Sequence, residues 1–107
     1  MTDWSFQLYS ARNHPPLSNT LQLLAELGYT QVEGFGGLYD QAAALRQDLD
    51  HHGLTMPTGH FGLAMLEDPD QALPTIETLG VRTVICPHLA AEQRPSDAAG
   101  WKQMAET

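Results

Sequence analysis

The sequence has little cysteine, few basic side chains and no long apolar run. A single cysteine, Cys86, excludes an internal disulfide and fits a reducing compartment, so we expect a cytoplasmic protein. Only 5 Lys and Arg residues stand against 13 Asp and Glu, a formal charge of -8. Nucleic acids and anionic membranes require clustered cations, and no stretch approaches the roughly 20 apolar residues of a membrane span. We therefore expect neither nucleic acid nor a membrane as a partner.

Three glycines mark a repeat along the chain. Gly28, Gly53 and Gly80 each follow a helical pattern and precede an apolar run, at intervals of 25 and 27 residues. A glycine at such a point can take the left-handed conformation that ends a helix. A period of about 25 residues fits one strand, one helix and two short loops. The sequence therefore predicts a βα repeat.

The hydrophobic pattern places four strands and four helices in alternation. The predicted strands cover residues 5–9, 31–35, 55–60 and 82–86, of which the third is weakened by Pro57 and the fourth is the clearest. The predicted helices run from about residue 16 to 27, from a cap at Asp40 to about residue 52, from an Asp68 cap to residue 79, and from residue 96 or 97 onward. This order predicts an α/β fold with a parallel sheet.

Two architectures fit the alternation. One is a small, open, doubly wound sheet that is complete in itself. The other is a parallel (βα)4 half of a TIM (β/α)8 barrel, whose usual length is about 250 residues. The 107 residues are enough for one domain, and the last helical pattern has no C-cap signal. We therefore expect residues 1–107 to be a single N-terminal half-barrel, cut within its fourth helix.

Four segments, in order, carry a resemblance to a known family. Residues 23–33 contain Leu-Gly-Tyr and a strand that ends in Val-Glu, and residues 52–60 end in Thr-Gly-His. Residues 68–88 contain Asp-Pro and then Leu-Gly-Val-Arg-Thr-Val-Ile-Cys-Pro-His, and residues 99–106 open a further helix. Together they resemble the sugar phosphate isomerase/epimerase family, which has a xylose isomerase-like TIM barrel. The resemblance covers nearly all of this chain but only the N-terminal half of that barrel.

The resemblance implies reversible isomerisation or epimerisation of a sugar, a sugar phosphate or an inositol-like polyol in the full-length relative. Such relatives hold one Mn²⁺, Mg²⁺, Co²⁺ or Zn²⁺ through side chains in the second half of the barrel. No matching position exists here, so we expect no metal and no activity in this chain alone. Two alternatives stay open, a non-enzymatic small α/β binding module and a truncated gene product. Endonucleases share this barrel, but 5 basic residues argue against a DNA-binding groove.

Active sites of such barrels lie at the carboxyl ends of the strands, which predicts four substrate-binding residues: Tyr9, Glu33, His60 and His88. Glu33 and His60 suit the hydroxyl groups of a sugar, although a strand-end carboxylate satisfied by backbone N–H groups and a packed histidine are the alternatives. Tyr9 could offer an apolar face to a sugar ring or pack in the core. His88 could lie on the rim of the pocket or in an exposed loop.

A half-barrel would leave the outer edges of its first and fourth strands open, together with one apolar face. Unpaired strand edges invite pairing with another chain. We therefore expect a homo-oligomer that forms through these edges.

Overall fold

The computed structural model describes residues 3–107 and contains one four-stranded parallel sheet. The strands are β1 (Ser5–Gln7), β2 (Gln31–Gly34), β3 (Thr55–His60) and β4 (Thr83–Ile85). The helices are α1 (Leu17–Glu26), α2 (Ala42–His51), α3 (Leu63–Leu66), α4 (Pro69–Leu79) and α5 (Ala98–Ala105). Three 3₁₀ segments, Leu8–Ala11, Gly36–Gln41 and Ala91–Gln93, follow strands. The predicted α/β alternation is confirmed.

The order of the strands decides between the two predicted architectures. Neighbouring strands in the sheet are consecutive in the chain, β1-β2-β3-β4, and every pair is parallel. Right-handed crossovers that always step in the same direction place all their helices on one face of the sheet. A doubly wound sheet instead reverses direction and carries helices on both faces. The chain therefore has the geometry of a half-barrel.

The three glycines of the repeat have the predicted backbone conformation. Gly28, Gly53 and Gly80 have φ values of 94°, 70° and 73°. These values lie in the left-handed region, which a residue with a Cβ adopts only at a cost. Each glycine ends a helix and turns the chain back toward the next strand, so the repeat follows from the turn chemistry.

The core lies between the sheet and the helices. The most deeply buried side chains come from both layers: Leu21, Val32, Leu49, Met56, Phe61 and Leu79. Each is less than 2% exposed, and burial of such a side chain contributes about 1.5–3 kcal/mol. Helix α5 has no buried residue and adds nothing to this core.

Three details of the elements differ from the sequence prediction. Strand β3 is the longest, because Pro57 lies in a bulge where its missing N–H group is harmless: Gln31 pairs with Thr55, but Glu33 pairs with Thr58. Strand β4 has only three residues, all exposed. Asp40 does not cap α2, because it lies inside the 3₁₀ segment that precedes this helix. Cys86 is exposed.

The face of the sheet away from the helices is polar, which makes the predicted apolar open face wrong. Residues that pair across parallel strands share a face, and the register places these side chains on the open one: Ser5, Gln7, Gln31, Glu33, Thr55, Thr58, His60, Thr83 and Ile85. Ile85 is the one large apolar residue among them. The apolar residues of β1–β3 instead point toward the helices.

Among residues 3–107, no helix is both long enough and apolar enough to cross a membrane.

Candidate functional site

Glu33 is the centre of a hydrogen-bonded cluster at the carboxyl ends of three strands. Its Oε1 accepts from the Gln7 amide nitrogen at 2.6 Å and lies 3.0 Å from His60 Nε2. Its Oε2 accepts from the Thr58 hydroxyl at 2.7 Å. We call these four residues, Gln7, Glu33, Thr58 and His60, the strand-end cluster. The carboxylate thus has three side-chain partners from β1 and β3, rather than backbone N–H groups.

The bulge at Pro57 brings the cluster together. Gln7 pairs with Glu33, and Glu33 pairs with Thr58, so these three side chains form a row on the open face. His60 follows Thr58 by two residues and therefore lies on the same face, one step closer to the strand end. If β3 had no bulge, Pro57 would pair with Glu33 in place of Thr58, and the side chains of Thr58 and His60 would point toward the helices.

The hydrogen bonds fix the orientation of two members of the cluster. The Gln7 side-chain oxygen accepts from the Tyr9 backbone N–H at 2.9 Å, which leaves its amide nitrogen to donate to Glu33. His60 Nε2 lies 3.0 Å from the Glu33 carboxylate, which orients a ring N–H toward that oxygen, and Nδ1 lies 3.4 Å from the Gln7 amide nitrogen. The Glu33 and His60 side chains are 21% and 28% exposed, so a ligand on the open face can reach them.

A buried tyrosine supports the cluster from the helix side. The Tyr39 hydroxyl donates to the His60 backbone carbonyl at 2.9 Å, and its ring stacks on Phe61 with centroids 4.5 Å apart. Burial first, and the negative charge of Glu33 second, raise the pKa of the Tyr39 phenol far above its usual value. The phenol therefore stays protonated and remains a donor at any physiological pH.

The structure brings two of the four predicted site residues together and places two elsewhere. Glu33 and His60 form the centre of the cluster. Tyr9 contacts the cluster only through its backbone N–H. The residue is 50% exposed, so the core alternative for Tyr9 is wrong. Its ring lies edge-on to Phe35, and the Arg12 guanidinium covers it at 3.8 Å. Tyr9 departs because β1 ends at Gln7 and turns into a 3₁₀ segment.

His88 lies in the loop after β4 and is exposed, as the loop alternative predicted. Its backbone carbonyl accepts from the Cys86 thiol at 3.8 Å, and its ring makes no hydrogen bond to any of residues 3–107. Nothing in the described part of the chain draws His88 toward the strand-end cluster.

Sequence reasoning missed Gln7, Thr58 and Tyr39. Thr58 precedes His60 by two positions, and Gln7 precedes Tyr9 by two positions. Residues two apart share a face in a regular strand, so both could have been predicted from the strand-end residues. Tyr39 had no such signal: it lies in the 3₁₀ segment after β2 and reaches the end of β3 only through the packing of that segment.

The described residues do not form the divalent-metal site that the resemblance implies for a full-length relative. Among residues 3–107, no three side chains of His, Cys, Asp or Glu lie close enough to hold an ion. Glu33 and His60 provide two possible ligands, whereas zinc sites in proteins take three or four and calcium sites six to eight. What this chain contributes to chemistry must therefore be argued from its own side chains.

No family model matches the sequence, and no curated protein matches it. Four solved chains have a similar fold, and two of them are as follows. One is a sugar phosphate isomerase/epimerase from Parabacteroides distasonis, with a TM-score of 0.78, 22% identity, and coverage of 97% of this chain and 44% of that chain. The other is an AP endonuclease, family 2, from Brucella melitensis, with a TM-score of 0.72, 21% identity, and coverage of 97% and 46%.

These comparisons confirm the predicted fold: the chain has the structure of half a TIM barrel. It spans less than half the length of either solved structure. At such identities the likeness defines a fold that serves two different chemistries, so function has to be argued from the strand-end cluster.

Proposed function

We propose that this chain is the sugar-binding half of an isomerase/epimerase-like barrel and that the strand-end cluster holds a sugar, a sugar phosphate or a small polyol. One observation carries the proposal. Glu33, Thr58, His60 and Gln7 form a partly exposed hydrogen-bonding group at the carboxyl ends of parallel strands, where the active sites of such barrels lie. A polyol presents neighbouring hydroxyl groups, and each can donate to a carboxylate or an imidazole nitrogen and accept from an amide.

The contacts define a role for each group. Glu33 accepts from a ligand hydroxyl with its remaining lone pairs, and Thr58 and Gln7 keep its carboxylate oriented. His60 Nε2 contacts Glu33 at 3.0 Å, and Nδ1, 3.4 Å from the Gln7 amide nitrogen, accepts from a second hydroxyl of the ligand. In a complete barrel this pair could hold or move a proton beside a substrate carbonyl, which is the step that interconverts aldoses, ketoses and their epimers.

Titration with D-fructose and with its phosphate ester, followed by NMR, tests the proposal. We expect the signals of Gln7, Thr58 and His60 to shift and Glu33→Gln to weaken binding about tenfold, since a charge-assisted hydrogen bond is replaced by a neutral one. Glu26→Gln is the matched control, because Glu26 is an exposed glutamate that accepts only from Gln22 on α1. Shifts confined to residues outside the cluster, or equal affinities for the two variants, would refute the assignment.

We further propose that the chain alone has no isomerase activity and that the metal-dependent step needs the residues of a second half-barrel. The chain covers only 44% of the sugar phosphate isomerase/epimerase structure, which supports this division of roles. Epimerisation of a ketose by the pure 107-residue chain in a buffer with Mn²⁺ would overturn it. A cytoplasmic location, expected from the single cysteine, belongs to the same proposal.

The alternative is a non-enzymatic binding module that uses the same cluster without turnover. It needs only the hydrogen-bonding groups of the strand-end cluster, and ligand binding without activity in any assembled form would select it. Nucleic acid is the weaker candidate despite the endonuclease-like fold. The charge of -8 repels a polyanion, and only 5 Lys and Arg residues are present to contact a DNA backbone, so we expect no binding of abasic DNA at physiological salt.

We also propose that a second copy of the chain completes the barrel. The sheet ends at β1 and β4, and the exposed apolar side chains of β4, Val84 at 39% and Ile85 at 36%, lie at one of these edges. Two half-barrels related by a twofold axis along the barrel would pair β1 of each copy with β4 of the other. Sedimentation should show a dimer at micromolar concentration and a monomer for Ile85→Lys; a monomeric wild-type chain would contradict the proposal.

A further inference from the structure

Tyr39 carries a hydroxyl group that the hydrophobic core does not need. The side chain is 7% exposed, and its ring packs flat against Phe61 with an interplanar angle of 22°. A phenylalanine would fill the same space. The hydroxyl donates to the His60 backbone carbonyl, 2.9 Å away. It is therefore linked to the residue whose ring contacts Glu33.

Two glycines leave room for this hydroxyl group. Gly34 on β2 pairs with Gly59 on β3, and a side chain at either position would point toward the helices. A Cβ on Gly59 would lie 2.7 Å from the Tyr39 oxygen, and a Cβ on Gly34 would lie 3.1 Å from it. A side chain on Gly59 would therefore push the hydroxyl away, whereas one on Gly34 would first meet the Met56 sulfur, 2.6 Å away. The paired glycines and the tyrosine form one structural unit behind the cluster.

His60 is held on both faces of the sheet. On the open face its ring lies 3.0 Å from the Glu33 carboxylate, and on the helix face its carbonyl accepts from Tyr39. The carbonyl and the side chain share one Cα, so a fixed carbonyl restricts the direction in which the ring leaves the strand. His60 is the last residue of β3; the next residue, Phe61, donates its N–H to the Ile85 carbonyl at 2.8 Å, and Tyr39 adds a second anchor at this strand end.

We propose that Tyr39 is a positioning residue: its hydroxyl, seated over Gly34 and Gly59, fixes the end of β3 so that the His60 ring meets Glu33 and faces the ligand. The consequence for ligand affinity rests on the proposed function. The orientation of the His60 ring does not, since it can be observed without a ligand.

The test compares Tyr39→Phe with Tyr29→Phe, a control tyrosine that packs edge-on to Phe6 at the opposite end of β2. The ring nitrogen resonances of His60 report its tautomer and its contact with Glu33. We expect Tyr39→Phe to shift these resonances toward those of a free tautomer mixture and to lower D-fructose affinity about three- to tenfold, while Tyr29→Phe changes neither. A merely structural tyrosine would lower the melting temperature without moving the His60 signals.

Gly59→Ala is a second variant, which displaces the hydroxyl without removing it. It should reproduce the His60 shift of Tyr39→Phe. Unchanged His60 resonances in Tyr39→Phe would overturn the proposal, and so would loss of the fold in that variant, because the hydroxyl would then serve the core rather than the site. If wild-type chain binds no ketose, the proposed function fails, whereas the His60 resonances still decide the role of Tyr39.

Discussion

The two faces of the sheet differ in chemistry although the same strands form both. In β3, Met56 points toward the helices and is 1% exposed, whereas Thr58, beyond the bulge, points to the open face and donates to Glu33. The helix face is dry and apolar, and its contacts are non-directional. The open face is partly exposed and polar, and its contacts are directional hydrogen bonds.

This contrast separates stability from function within one short element. Apolar burial dominates the free energy of folding, whereas a hydrogen bond on a partly exposed face adds little net stability because water competes for the same groups. The apolar contacts of the helix face are therefore sufficient to stabilise a half-barrel whose open face is polar. The open face is then free to carry a group of side chains selected for a ligand.

The largest effect is expected for a cavity on the helix face. Met56→Ala should lower the free energy of unfolding by about 2–5 kcal/mol, because it removes a fully buried side chain from between the sheet and the helices. Thr58→Ala, two positions along the same strand, should cost about 1 kcal/mol and weaken sugar binding instead. Urea denaturation measures both, and equal losses of stability would mean that the two faces are not distinct.

The second prediction concerns Tyr39, which lies on the dry face next to the charge of Glu33. Because its pKa is raised in the folded chain, Tyr39 is neutral in both folded and unfolded states below the usual tyrosine pKa of 10.0, and its full contribution to stability is present there. Above that pH the unfolded chain releases a proton that the folded chain retains, so stability falls by up to about 1.4 kcal/mol per pH unit.

Tyr39→Phe should remove this alkaline decline, and Tyr29→Phe should not. Urea denaturation at several alkaline pH values, with the wild-type chain beside both variants, isolates the contribution of Tyr39 from that of other groups. If the wild-type chain and Tyr39→Phe lose stability in parallel, Tyr39 ionises freely and the dry face does not extend to its hydroxyl.

The sequence predicted the dry face better than the polar one. Helix ends and the βα repeat follow from local rules, so Gly28, Gly53 and Gly80 were placed from the chain alone. Glu33 and His60 were found because strand ends carry the sites of parallel α/β folds. Their mutual contact depends on a bulge at Pro57, and register shifts of that kind are settled by packing between strands rather than by local preference.

Helix α5, in the last part of the chain, contributes no buried residue to either face, and a substitution at its start has the smallest expected effect. Asp97 caps α5, accepting from the Gly100 N–H at 2.7 Å, whereas Asp68 stands at the start of α4 without a side-chain cap. Asp97→Ala should cost α5 about 0.5–2 kcal/mol of local stability, and Asp68→Ala should cost α4 less than about 0.5 kcal/mol.

Because α5 buries no residue, its fraying should leave global unfolding unchanged. Hydrogen exchange can distinguish the two effects: the amides of α5 should exchange faster in Asp97→Ala while those of β2 and β3 keep their rates. Faster exchange in β2 and β3 would show that α5 is coupled to the sheet. The cooperative unit would then include the whole chain, and the contrast between the two faces would not by itself explain its stability.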